Sequence, residues 1–197
     1  MRSASFDKGE VIDSIMRAFW EHGYEATSIQ TLEAATGLKR QSLYNAFGNK
    51  DAMFELAADR YDLVVSRRLL AALDNDDPRA ALSDFFAAQL AVLEDAGQPA
   101  GCFVAGGQQE LANRADTAIG EKMSALIGVQ YSALVAAFER WKEQGALTDD
   151  ADPQALAGAV MALVRGQSVL GRSQSASDII ARTAKTLPDL FERYYAH

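Results

Sequence analysis

Little in this 197-residue chain suits metal, disulfide or histidine chemistry. Its one cysteine, Cys102, cannot form an internal disulfide, which fits a reducing compartment and a cytoplasmic location. Two histidines, His22 and His197, are too few for a His-rich metal site and leave most His-based catalytic arrangements without a base. No metal and no cofactor is expected. No apolar run approaches the ~20 residues that cross a bilayer, so no membrane partner is expected. The start, MRSASFDKGEVIDS, lacks the apolar stretch and cleavage site of a secretory signal. Only four prolines occur, and no segment alternates like a strand. A content of 49% hydrophobic and 23% charged residues argues against disorder and coiled coil. The length suits one large domain or two small ones with a real core.

Positive charge is also scarce. Nineteen Lys and Arg face 27 Asp and Glu, a net charge of -8. Such a balance argues against coating nucleic acid through bulk charge. The distribution is uneven, however. Residues 1–50 hold six bases (Arg2, Lys8, Arg17, Lys39, Arg40, Lys50) and six acids, so the whole acidic surplus lies beyond residue 50. Half of the early bases fall between Lys39 and Lys50, leaving room for a small basic face.

What is present is helical periodicity. Ile12, Ile15, Met16 and Phe19 form one stripe of a helix that Asp7 can cap and Gly23 can end. Ser28 is a good N-cap for a short helix carrying Ile29 and Leu32 inward, closed by Gly37. The next element runs from Leu38 to about Phe47. A long helix is predicted from about Asn49 to Leu73. Others follow: one opened by Pro78, a shorter one with Cys102, Phe103 and Leu111, one from about Asp116 to Gln144, one opened by Asp152-Pro153, and a last one from Ser177 interrupted by Pro188. The fold class is all-α, with about nine helices.

Thr27 to Asp51 reads as a short helix, a glycine turn and a second short helix, the spacing of a helix-turn-helix whose second helix enters the DNA major groove. On a helical wheel Leu43, Ala46 and Phe47 share one side. Gln41 and Asn45 point away, flanked by Arg40, Ser42 and Tyr44. That outer face holds the amide, guanidinium, hydroxyl and phenol groups that reach phosphates and base edges. Lys50 follows at the start of the next helix, beside a phosphate.

The segment AFWEHGYEATSIQTLEAATGLKRQSLYNAFGNKDAMF resembles the N-terminal domain of the tetracycline-repressor (TetR) family of bacterial transcription regulators. The matching features are Gly23-Tyr24, Thr27-Ser28, Ile29 with Leu32, Ala35 with Gly37, Leu43-Tyr44, Phe47 and Lys50-Asp51. They cover roughly a quarter of the chain. The resemblance implies a DNA-binding domain at residues 1–49 and an effector-binding, dimerisation domain at 50–197. It implies that Thr27, Tyr44 and Lys50 touch the DNA backbone and that Lys39, Arg40, Gln41, Ser42 and Asn45 face the groove, with Ser28 beside them. Its implied partners are a palindromic double-stranded operator, a second copy of the chain and an unidentified small-molecule effector. Three positions depart from the pattern. Lys39 replaces a Ser that normally caps the recognition helix, a loss of about 1 kcal/mol. Gln41 replaces a common Gly. Glu33 replaces a small Ala between the two helices, in conflict with close packing.

Beyond residue 50 the candidates are an effector pocket drawn from Phe86, Gln89, Cys102, Phe103, Gln109, Tyr131, Met161 and Arg165, with Phe85, Met123, Phe138 and Gln167 as further possibilities. Such stripes also describe an ordinary core. The apolar, small-residue stretch from Ala155 to Val164 is expected, with the last helix, to form a dimer interface. Cys102, placed in the first turn of a helix, reads either as an oxidant or electrophile sensor or as a small buried residue. Gly106-Gly107 reads as a deformable joint. Two rivals to an effector-released repressor stay open: a regulator switched through Cys102, and an all-α enzyme.

Overall fold

The computed structural model describes residues 6–173 and 177–196; Arg2 and His197 lie outside the described residues. Helices are α1 (Lys8–Ala26), α2 (Ile29–Thr36), α3 (Arg40–Phe47), α4 (Lys50–Tyr61), α5 (Arg67–Leu70), α6 (Pro78–Glu94), α7 (Phe103–Glu110), α8 (Ala118–Glu143), α9 (Pro153–Leu170) and α10 (Ser177–Thr186). Short 3-10 turns occupy Ala71–Asp74, Ala112–Arg114 and Pro188–Tyr194. Among the described residues the only strand-like pairing is one bridge, Leu147 with Tyr195.

The caps predicted at Asp7, Ser28 and Asp152 hold, and Asp77 and Thr117 add two more. The Asp7 carboxylate accepts from the Gly9 and Glu10 N–H groups and starts α1. Ser28 and Thr31 form a reciprocal capping box on α2. Asp77 and Asp152 cap α6 and α9, each followed by proline at the first helical position. Thr117 caps α8. Gly23 breaks α1 at φ 79°, a value that L side chains rarely adopt, and the chain resumes one helical turn through Ala26. The helix expected over 49–73 is not uniform. A π turn at Asp62–Ser66 separates α4 from α5, and the run ends in a 3-10 turn. Within the turn Val65 and Ser66 are buried while Leu63 is exposed; the wider turn shifts the phase of the residues that follow it.

Two hydrophobic cores result. The first joins α1, α2, α3 and α4 to α7 and the first half of α8 through Ile15, Phe19, Trp20, Leu32, Leu43, Phe54, Phe103 and Met123, among others. The second packs α6, the rest of α8, α9 and the C-terminal turn around Phe86, Phe138, Trp141 and Val160. The division expected between residues 49 and 50 is thus not a gap in packing. The first core runs across it because α4 lies along α1.

Gly106 and Gly107 differ in the space around them. A Cβ on Gly107 would sit 3.0 Å from the Met123 sulfur, and one on Gly106 would sit 2.9 Å from the Arg172 guanidinium. Close packing against Met123 accounts for Gly107, while at Gly106 only the mobile tip of Arg172 would have to give.

Candidate nucleic-acid interface and inner cavity

The helix-turn-helix stands on three anchors. Leu32 from α2 and Leu43 from α3 are fully buried, and Phe47 packs beside them. Gly37, left-handed at φ 71°, closes α2 and donates its N–H to the Glu33 carbonyl. The opposite face of α3 is left to solvent: Arg40, Gln41, Ser42 and Asn45 are exposed, as is Lys39 at its N-cap. The Gln41 amide donates to the Asn45 side-chain oxygen at 2.9 Å, so two groups able to meet a base edge are held side by side. The Arg40 guanidinium lies 5.4 Å from the centre of the half-buried Tyr44 ring.

Lys39 offers no side-chain cap. Its place is taken from the neighbouring helix, where the Glu33 carboxylate accepts the Arg40 backbone N–H at 2.9 Å. The two departures at 33 and 39 are therefore one arrangement. A carboxylate from α2 satisfies the free N–H at the positive end of α3, where negative charge is favoured. The expected packing conflict does not arise.

Thr27 does not reach the surface. It is fully buried, and its hydroxyl donates to the Gly23 carbonyl at 2.5 Å. It ties α2 to the end of α1 and is withdrawn as a side-chain contact to DNA. Ser28 is exposed, but its hydroxyl is engaged with Thr31 at 2.9 Å. Lys50 lies folded over the Tyr24 ring, 4.3 Å from its centre, with its ammonium donating to the Glu25 carbonyl at 3.4 Å.

Tyr24 is a hub that sequence reasoning noted only as part of a motif. Its hydroxyl donates to the Asp51 carboxylate. Burial, reinforced by that carboxylate, pushes its pKa up to about 12. Its backbone N–H and that of Glu25 both donate to Glu110 at 2.7 Å. Arg114 pairs with Glu25 at 2.5 Å. Glu110 ends α7, so the α7 terminus is fastened to the last turn of α1, directly before the helix-turn-helix. No local pattern around Glu110 signals this contact.

A small cavity lies between α4, α6, α8 and α9. It is lined by Tyr61, Ser66, Leu69, Leu70, Phe85, Gln89, Cys102, Gln130, Leu134, Met161, Val164 and Arg165. Of the expected pocket residues, Gln89, Cys102, Met161 and Arg165 meet there. Four do not. Phe86 points into the second core, one helical step from Phe85. Phe103 stacks between Phe54 and Tyr61 at 5.2 and 5.3 Å and faces the α1–α7 cleft. Gln109 is exposed at the rim of that cleft. Tyr131 lies on the outer face of α8, its hydroxyl donating to the Gln154 carbonyl at 3.2 Å. Of the further possibilities, Phe85 lines the cavity, Met123 belongs to the first core, Phe138 to the second, and Gln167 is buried apart from the cavity. Tyr61, Ser66 and Gln130 were missed. Gln130, a polar residue within α8, was findable by the reasoning that selected Gln89. Ser66 lies in the π turn, whose winding the sequence does not announce, and Tyr61 reads equally as an ordinary core aromatic of α4. Cys102 is the N-cap residue of α7 rather than part of its first turn. It is buried, and its sulfur accepts from the Tyr61 hydroxyl at 3.3 Å.

The sequence pattern described as "Bacterial regulatory proteins, tetR family" matches residues 11–57. The HTH-type transcriptional repressor ComR of Escherichia coli (strain K12) is 39% identical over 105 residues, which cover 52% of this chain and 50% of ComR. The chain spans about half the length of the curated relatives it matches first. In fold it is similar to the TetR family transcriptional regulator CifR, a cysteine mutant complexed with a 26-bp double-strand operator. The TM-score is 0.83 at 24% identity, over 95% of this chain and 98% of CifR. A putative TetR transcriptional regulator from Rhodococcus sp. RHA1 is 30% identical, with 96% of this chain and 100% of that one covered and a TM-score of 0.59. With the pattern over α1–α4 and a relative of that identity along its whole length, the chain belongs to the TetR family of bacterial regulatory proteins.

Proposed function

We propose that the protein is a homodimeric transcriptional repressor that binds a palindromic double-stranded operator and is released by a small-molecule effector. The observation that carries this reading is the division of α3 into a buried side, Leu43 and Phe47, and an exposed side of Arg40, Gln41, Ser42 and Asn45. The naming of ComR as a repressor and the operator bound to CifR support it. Lys39, Arg40, Gln41, Ser42 and Asn45 face the groove. Tyr44, Lys50 and the N-terminus of α2 at Ser28 lie along the backbone; Lys50 leaves the Tyr24 ring to do so. Residues 1–49 carry DNA binding, and residues 50–197 carry the cavity and the dimer.

The dimer reading rests on the outer face of α9. Leu156, Ala157, Val160 and Val164 turn inward, leaving Ala155, Ala159, Ala162, Gly166, Val169 and Leu170 exposed along one side. Val169 is 61% exposed and Ile179 of α10 is 54% exposed, an apolar strip that a second copy would cover. A dimer sets the two α3 helices one helical repeat apart, about 34–36 Å or a multiple. Glu110 and the first core connect the cavity region to the helix-turn-helix. An effector preferring another spacing shifts the population from the DNA-competent state by its differential affinity. Gel retardation with DNA flanking the protein's own coding region tests the reading. A retarded complex of one dimer per site supports it; absence of any sequence-specific complex refutes it.

A further inference from the structure

Arg165 stands alone among the groups that line the cavity. The cavity contains no carboxylate, and among the described residues no carboxylate lies within ion-pair distance of Arg165. Its guanidinium reaches only neutral partners: the Gln130 side-chain oxygen at 2.6 Å and the Cys102 sulfur at 3.7 Å. Its Nε is buried without a hydrogen-bond partner. A half-buried guanidinium with its Nε buried beside Leu69, Leu70, Phe85, Leu134, Met161 and Val164 is stabilised by pairing with an anion. The described residues supply none, although the chain carries eight more acids than bases.

We propose that the effector is an apolar molecule with a carboxylate head, and that Arg165 is the residue that pairs with that head. This rests on the reading of the cavity as the effector site. The neighbours suit an oxyanion. Tyr61 is a donor that holds its proton, since burial, together with the nearby Cys102, raises its pKa well above the usual phenol value. Both Tyr61 and Arg165 now spend a donor on sulfur, a weak acceptor that an oxyanion outcompetes. Gln130, held by Ser66 at 3.0 Å, orients the guanidinium. Apart from Gln89, whose amide donates to Ser168, the remaining wall is apolar and fits a hydrocarbon or aryl tail. The cavity has only about 30 Å³ free, space for one or two waters, so the tail must displace apolar side chains of the wall, Leu69, Leu70 and Met161 among them. Leu69 and Leu70 sit just past the π turn, an irregular winding often found at functional sites. Displacing them pulls on α4 and hence on the core that holds α1.

Matched probes decide this with the full-length chain. Octanoate is compared with octanol, and phenylacetate with phenylacetamide, by calorimetric titration of wild type, Arg165→Met and Met161→Trp. For at least one pair, wild type is expected to bind the carboxylate at least about tenfold tighter than the neutral partner, the worth of one charge-assisted hydrogen bond. Arg165→Met is expected to reduce that ratio to near one and, without any probe, to raise the unfolding temperature by removing an uncompensated charge. Met161→Trp, or Met161→Phe should the larger ring unfold the chain, is expected to block both members of each pair. Equal binding of acid and neutral partner, no binding of any probe, or a lowered unfolding temperature in Arg165→Met overturns the proposal. Equal binding that Met161→Trp still blocks overturns the anion alone and leaves the effector cavity standing. Binding that the filled cavity leaves untouched overturns both.

Discussion

Glu33 and Lys39 show how two residues read separately can be one device. The sequence marks Lys39 as a missing cap and Glu33 as an oversized neighbour. Only the fold shows that the Glu33 side chain reaches across the turn to the Arg40 N–H. Glu33→Ala should therefore cost about 1 kcal/mol in denaturant unfolding, the usual worth of an N-cap. In a Lys39→Ser background, where a local cap is restored, the same change should cost close to nothing. Thr27 teaches the reverse lesson, because a residue placed on the DNA by family pattern is buried and bonded to Gly23. Tyr24 adds a pH dependence. Its neutral form is favoured in the folded state, with the pKa raised from 10.0 to about 12. Its contribution to stability is complete below pH 10 and is lost as the pH rises through 12. Alkaline titration of stability should show this loss, and Tyr24→Phe should remove that share of it.

Among the elements, helix α7 is the one whose role the sequence concealed. Its periodicity gives a short buried helix. Nothing in the local pattern shows that its last residue, Glu110, bonds to two N–H groups 86 and 85 residues upstream. Losing both bonds in Glu110→Ala should destabilise the protein by about 1–3 kcal/mol, since two backbone donors lose a charged acceptor. Gly23→Ala should also be costly: φ is 79°, and the new Cβ would sit 2.6 Å from the Glu110 carboxylate. The two changes should be less than additive in a double-mutant cycle, because removing Glu110 relieves the contact but not the φ strain. The helices with strong caps, α1, α2, α6, α8 and α9, were legible because their start signals are local. The π turn at 62–66 was not, since its hydrophobic residues fit an uninterrupted α-helix about as well until tertiary packing chooses the phase.

In the whole molecule, charge and symmetry carry the account. The net charge of -8 coexists with a helix-turn-helix whose recognition face carries Lys39 and Arg40 and no acid. Operator affinity should therefore fall steeply with salt, by about 0.9 log unit per log unit of salt for each phosphate neutralised. Lys50→Ala should weaken all sequences about equally and reduce that slope by about one. Sedimentation at micromolar concentration should show a dimer. Val169→Glu should yield a folded monomer, since the side chain points outward and supports no part of the core. The all-α class and the helix-turn-helix were legible from periodicity and one motif. The continuity of the first core through α7 and α8 was not, because contacts between distant segments leave no local trace.

The central claim is that the exposed face of α3 reads sequence. Its most direct test is the binding of wild type, Arg40→Ala and Gln41→Ala to a library of single-base changes in the operator selected by the purified protein. Each bidentate contact of Arg with guanine or Gln with adenine is worth about 1–3 kcal/mol of discrimination. The account predicts that each variant loses preference at its own operator positions, symmetrically in the two half-sites, and keeps it elsewhere. A uniform loss of affinity, with every position retaining its preference, would contradict it.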